Sequence, residues 1–168
     1  MIKYRIQPLN SDVNTDSFDC GNDELNDFLQ TDALQNQDDW LSITKVMYID
    51  TTLIGYFTLI ADTLHKERME LPDKLADYPY QKYPAIKLAR LAIDKRYQHQ
   101  GYGSELMNEF FDTARDAVRF DGGRFITVDA KTDAVGFYKQ YGFHPVKSAA
   151  GNDVIPMYMD FFKYYNCI

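Results

Sequence analysis

The residues of this 168-residue chain whose types and spacing suit chemistry lie in Gln98-His-Gln-Gly-Tyr-Gly-Ser104. An apolar run, Ala85 to Ile93, precedes them, and a helical pattern opens at their end. A strand feeding a glycine loop and a helix N-terminus offers unpaired backbone N–H groups and the positive end of a helix dipole. Such a device holds an anion, usually a phosphate. Gly101 and Gly103 carry no side chain, so the backbone can close round that anion. Lys95, Arg96 and His99 either add cationic character or form an ordinary solvated turn. Two familiar loops are excluded. Leu106 stands where a dinucleotide fingerprint needs its third glycine, and the chain has no Gly-x4-Gly-Lys-Ser/Thr string.

These residues need a frame. Alternation over residues 2–7 predicts a first strand. Asn22 or Asp19 can cap a helix whose first turn carries Asp23 and Glu24, with Leu25, Phe28, Leu29 and Ala33 on one stripe. Ile43 to Ile49 and Leu53 to Ile60 read as a hairpin around Asp50-Thr51-Thr52. Residues 62–84 are a long connection, of a length that often serves a substrate, with a short helix near Leu71-Pro72-Asp73-Lys74-Leu75. Residues 85–93 form the fourth strand. Leu106, Met107, Phe110, Phe111, Ala114 and Val118 give the next helix a wide apolar face until Asp121-Gly-Gly breaks it. Arg124 to Val128 is the fifth strand. Thr132 or Asp133 can cap the helix that carries Ala134, Phe137, Tyr138 and Tyr141, and Gly142 supplies its left-handed stop. Phe143 to Val146 and Pro156 to Phe162 complete the strands. The order describes one α/β (α+β) domain over 1–168, with a mixed, mostly antiparallel sheet of about six to seven strands and helices on both faces.

Composition narrows the classes. Apolar residues make up 45% and aromatics 15%, enough for one real core and too little chain for two. No run approaches the roughly 18 apolar residues of a membrane span, and Met-Ile-Lys-Tyr-Arg-Ile lacks the apolar centre of a signal peptide. Cys20 and Cys167 are too few for a disulfide framework. A reduced, cytoplasmic setting is expected, with no membrane partner. His65, His99 and His144 show no ligand spacing, so no metal is expected. The net charge is 18 − 25 = −7, which disfavours nucleic acid on average and favours cationic partners.

Gln98-His-Gln-Gly-Tyr-Gly103, with Leu91-Ala-Ile93 before it and Ala134-x-x-Phe-Tyr-x-x-x-Gly-Phe143 after it, resembles the GNAT-type N-acetyltransferases in motif and in element order. That resemblance implies a sheet splayed between its fourth and fifth strands, and acetyl-CoA as co-substrate. The backbone of Leu91, Ala92 and Ile93 would pair with the pantetheine arm. Gln98, His99, Gln100, Gly101, Tyr102, Gly103 and Ser104 would meet the pyrophosphate. A strand-four N–H near Ile93 is the implied oxyanion donor, and Tyr138 stands where similar enzymes place the acid for the departing thiolate. A helical Tyr beside Phe137 can equally be core. Asp94 and Asp129, at the ends of strands four and five, suit either a cationic amine or a turn, so the general base stays unassigned.

The acceptor has two readings. Phe18 to Leu29, Ile54-Gly-Tyr-Phe-Thr-Leu59 and Lys87 to Ile93 also resemble the GNAT-type toxins that acetylate aminoacyl-tRNA. The charge of −7 argues against tRNA, which leaves a small-molecule or protein amine as the expected acceptor and the toxin reading as the alternative. A third reading is a CoA-binding interaction module without catalysis. Its aromatic stretch Met157 to Tyr165 would join a partner or form a homodimer along a sheet edge.

Overall fold

The computed structural model describes residues 3–147 and 153–166, which leaves Ile2 and Cys167 outside the described residues. The strands are β1 (Tyr4–Pro8), β2 (Ile43–Ile49), β3 (Thr52–His65), β4 (Lys82–Ile93), β5 (Phe125–Lys131), β6 (His144–Pro145) and β7 (Val154–Asp160). Their order in the sheet is β1-β2-β3-β4-β5-β7-β6. The β1–β2, β2–β3, β5–β7 and β6–β7 pairs are antiparallel, whereas β4–β5 is parallel. That parallel register covers Ala85–Leu88 against Phe125–Val128, while β4 continues to Ile93. This is the mixed, splayed sheet that the sequence led us to expect.

Backbone contacts group the chain into two units, residues up to 60 with 89–113, and 61–88 with 114 onward. In the first unit, α1 (Asp23–Asp27), a π-helical segment at Phe28–Asp32 and α2 (Ala33–Asp38) follow one another. Asn22 caps α1, its side-chain oxygen accepting from the Leu25 N–H at 3.1 Å. Phe28, Leu29 and Ala33 are buried in a cluster with Phe18, Val46 and Tyr56. The predicted stripe is therefore core. The long helix α3 (Tyr102–Asp121) buries Leu106, Met107, Phe110, Phe111 and Ala114 as its spacing requires.

In the second unit β3 continues to His65, so the long connection shrinks to residues 66–81, with 3-10 turns at Lys66–Arg68 and Leu71–Asp73. The Tyr158 hydroxyl accepts from the Glu70 N–H at 2.8 Å and donates to Asp73 Oδ2 at 2.9 Å, and Lys163 Nζ donates to Asp73 Oδ1 at 2.9 Å. The loop is pinned down, with Met69 wholly buried beneath it.

Two expectations fail here. Strand β7 ends at Asp160, and Phe161–Asn166 forms a helix, α5, where a strand to Phe162 was expected. Asp160 Oδ1 accepts from the Lys163 N–H at 3.0 Å, an N-cap bond that turns the chain. β7 lies between β5 and β6, and β6 pairs with it at Met157 and Tyr158, so that part of the strand invoked for the edge-joining module is already occupied within the chain. Nor does Thr132 or Asp133 cap α4 (Val135–Lys139). A 3-10 turn at Thr132–Ala134 leads into α4, and neither segment has a side-chain cap bond.

Candidate active site

The glycine loop belongs to the first unit, and its geometry is set by one buried carboxylate. Asp94 is fully buried and accepts from Arg96 N at 3.0 Å, Arg96 Nε and a terminal guanidinium N at 2.8 Å, and Asp19 N at 3.2 Å. Its own N–H donates to Ile54 O, and its carbonyl accepts from Tyr97 N, each at 2.8 Å. Burial pushes the Asp94 carboxyl upward, but the Arg96 bonds and the two amides outweigh it and hold the group below the ordinary carboxylate range. Of the two readings of Asp94, the turn is the one observed. Asp19 does a parallel task. Its bonds from Lys95 Nζ, Gly21 N and Asn26 Nδ2 lower it to about 2. Lys95 and Arg96 are thereby paired with Asp19 and Asp94, with both basic side chains still exposed.

Gln98 ties the loop together. Its Nε2 donates to Ile93 O and to Cys20 O at 2.9 Å each, while Gln100 Nε2 donates to Arg96 O at 3.0 Å. His99 takes a φ of 60° and Gly101 a φ of 91°, the left-handed region that a side chain at Gly101 would strain. A Cβ built on Gly101 would meet nothing within 4 Å. The Ser104 and Glu105 N–H groups both bond Gly101 O, at 3.0 and 3.3 Å. The amides of Tyr102 and Gly103 precede the first intrahelical bond, so they are the donors an anion can take. Tyr102 acts there through its backbone, since its ring is buried against Tyr97. An open glycine turn ahead of a 20-residue helix fits a pyrophosphate by the chemistry of its donors.

Leu91, Ala92 and Ile93 close β4, with Ala92 and Ile93 buried. Gly55 on β3 lets them sit where they do. A Cβ there would come within 2.7 Å of Ile93 Cδ1 and 3.0 Å of both Ala92 O and Leu106 Cδ1.

Tyr138 lies in the second unit, buried on α4 between Phe137 and Phe143, with ring centroids 5.3 and 5.7 Å away. Burial raises its hydroxyl to about 12. Gly142, at φ 89°, ends the turn as expected, its N–H bonding Lys139 O at 3.0 Å. In the same unit, Lys87 and Thr127 face each other across β4 and β5. Thr127 Oγ1 donates to Asp62 Oδ2, and Lys87 Nζ to Asp129 Oδ2, each at 2.5 Å. Asp62 and Thr127 were missed by sequence reasoning, because only the register of three separate strands gathers them. Among the described residues, no three His, Cys, Asp or Glu side chains converge as metal ligands, and no helix is long and apolar enough to cross a membrane.

The family model of the acetyltransferase (GNAT) domain matches residues 16–161. The chain belongs to the GNAT acetyltransferase family. It is accordingly an N-acetyltransferase that draws on acetyl-CoA. A tRNA-acetylating toxin of Mycobacterium tuberculosis is 31% identical over 134 residues, 76% of either chain. Among solved structures, AtaT complexed with acetyl-methionyl-tRNAfMet superposes with a TM-score of 0.81 at 26% identity, over 92% of this chain and 94% of that one. AtaTR bound with AcCoA gives 0.81 at 28% identity and covers 99% of each. The family assignment agrees with the resemblance seen in the glycine loop and the Tyr138 helix. The acceptor expectation fares differently: one relative is a tRNA-acetylating toxin and another is held in complex with acetyl-methionyl-tRNAfMet, which favours the alternative over a small-molecule or protein amine.

Proposed function

We propose that this enzyme acetylates the amino group of aminoacyl-tRNA, in place of the small-molecule or protein amine that net charge favoured. The supporting observation is the 31% identity to a tRNA-acetylating toxin across three quarters of the chain, aligned with the very family that the glycine loop and Tyr138 motif belong to. A charge of −7 is a sum over the whole surface, whereas phosphate binding is decided by the few residues that meet the backbone.

Acetyl-CoA supplies the activated acetyl group. The Tyr102 and Gly103 amides, at the positive end of α3, receive the pyrophosphate, and Gln98 keeps the loop in register through Ile93 O and Cys20 O. Leu91, Ala92 and Ile93 act through backbone groups, with an N–H near Ile93 as oxyanion donor. The attacking amine must arrive unprotonated. The amine nitrogen bonds the acetyl carbon as the carbon–sulfur bond breaks, the Tyr138 hydroxyl gives its proton to the leaving sulfur, and the proton that the new amide nitrogen sheds to water restores the phenol. A phenol raised to about 12 by burial keeps its proton at neutral pH, so the hydroxyl is present as a donor when the carbon–sulfur bond breaks.

The test is purified enzyme, acetyl-CoA and a panel of aminoacyl-tRNAs beside free amino acids and a lysine peptide, with the products resolved by mass spectrometry. Acetylated aminoacyl-tRNA is expected. Turnover on the peptide or free amines alone would refute the proposal.

A further inference from the structure

We infer that the turn between α2 and β2 is a docking surface for a basic, amphipathic segment of another protein. The inference does not depend on which amine the enzyme acetylates. Trp40, the chain's one tryptophan, is 92% exposed in this turn, with Leu41 64% and Ile43 47% exposed beside it. Scattered exposed apolar side chains need no explanation. Three large ones within four residues form a patch that a partner can take out of water.

The turn is built to present them. Trp40 takes a φ of 60°, the left-handed region that a side chain makes unfavourable. Hydrogen bonds on both sides hold it there. The Trp40 N–H donates to Gln37 O at 3.1 Å, and the Leu41 and Ser42 N–H groups both donate to Asn36 O, at 2.8 and 3.3 Å. The Gln37 side chain ties the turn to its neighbours, donating to Leu9 O at 2.7 Å and accepting from the Thr44 N–H at 3.0 Å. Thr44 is wholly buried and its hydroxyl bonds that of Thr58 at 2.8 Å, so alternation along β2 turns Ile43 outward. An indole whose backbone is fixed before contact loses little freedom on binding, and tryptophan is among the residue types that anchor interfaces.

Charge decides what the partner is. Residues 6–44 hold nine Asp and Glu and no Lys, Arg or His, so this segment carries −9 while the other residues sum to 18 − 16 = +2. Asp38 and Asp39, next to the patch in the chain, form no ion pair among the described residues, and Asp39 accepts only from Gln35 Nε2 at 3.0 Å. The first base beyond the patch, Lys45, is held by Glu109 at 2.8 Å. A polyanion is repelled by such a segment. A second copy of the chain is disfavoured as well, because a two-fold contact sets one patch against itself and so acid against acid. A segment with lysine or arginine on one face and aliphatic side chains on the other answers both the carboxylates and the exposed apolar surface.

The emission of Trp40 reports the site directly. The enzyme is titrated with a helical peptide of leucine and lysine whose leucines share one face, with the same peptide carrying Glu for Lys, and with a version whose leucines are spread round the helix. The first peptide is expected to shift Trp40 emission to shorter wavelength and to saturate, more weakly as salt rises. The Glu peptide should give no shift, and the dispersed one should bind less tightly. Trp40→Asn, which suits the left-handed backbone, and Leu41→Ser are followed with labelled peptide, and each should weaken binding about tenfold. Asp38→Asn/Asp39→Asn should weaken it less and flatten the salt dependence. Equal binding of the Glu peptide, binding without a Trp40 shift, or unchanged affinity in the Asp38/Asp39 variant would overturn the inference, as would no shift with the leucine–lysine peptide at all. A shift on raising enzyme concentration alone, with a dimer in sedimentation, would overturn it in favour of a second copy. A shift on adding deacylated tRNA would overturn it in favour of nucleic acid.

Discussion

Tyr138 is the side chain proposed to protonate the departing thiolate. Replacing it with Phe removes one oxygen from a buried ring packed on Phe137 and Phe143, so the fold should hold. The acid is lost, and kcat should drop by about 10²–10⁴-fold with the KM for acetyl-CoA nearly unchanged, as thiol release would show. Because the native hydroxyl is raised to about 12, the proton stays in place across the working range. The pH–rate profile should rise as the acceptor amine deprotonates, with no descending limb from Tyr138 until pH approaches that value. The same shift acts on stability. An unfolded tyrosine near 10 lies below the native one, so this contribution is intact below pH 10 and declines as pH rises toward 12. Asp94 has the opposite sign. Its native value is depressed, so the stability it adds is complete above the ordinary carboxylate value of about 3.9 and is lost as pH falls through the native one. Asp94→Asn leaves Arg96 without its carboxylate and should cost about 3 kcal/mol by denaturant titration, with weaker acetyl-CoA binding because the glycine loop loses its anchor.

At the scale of elements, β3, β4 and the start of α3 depend on one small residue. Gly55→Ala puts a methyl group into contact with Ile93, Ala92 O and Leu106, two of which are strand-four residues proposed to hold the pantetheine arm. A loss of about 1–3 kcal/mol in thermal stability is expected, together with a raised KM for acetyl-CoA and a smaller change in kcat. The elements themselves were largely legible. The Asn22 cap, the Leu25–Ala33 stripe, the α3 face and the Gly142 stop are local patterns of spacing, and local spacing is what a sequence displays. The failures have equally local causes. Asp160, three residues before Lys163, is an N-cap signal hidden inside an alternating apolar run, and it ends β7 early. Thr132 and Asp133 have the right side chains for a cap, but they lie inside a 3-10 turn and do not precede the helix. The turn role of Asp94 rests mostly on Arg96, two residues on, and was within reach of local spacing, whereas its bond from Asp19, 75 residues away, was not. Asp62 and Thr127 meet only through register.

For the molecule as a whole, net charge is the quantity that pulls against the proposed acceptor. Eighteen basic against 25 acidic residues sum to −7, but a sum does not say where on the surface the charges lie. Lys95 with Asp19, Arg96 with Asp94 and Lys87 with Asp129 are paired, which leaves that sum unchanged, so the field that a polyanion meets is set by how the other charges are distributed over each face. Acetylation of aminoacyl-tRNA should therefore slow with added salt through KM, while acetyl-CoA binding, held by amides and a helix end, changes less. The central claim is that a GNAT enzyme of acidic composition acts on aminoacyl-tRNA. The most direct measurement is incubation of the purified enzyme with acetyl-CoA and total aminoacylated tRNA, followed by nuclease digestion and mass spectrometry of the terminal aminoacyl-adenosine. The account predicts a mass gain of one acetyl group on the amino acid, absent with Tyr138→Phe; unmodified aminoacyl-adenosine alongside rapid acetylation of free amines would contradict it.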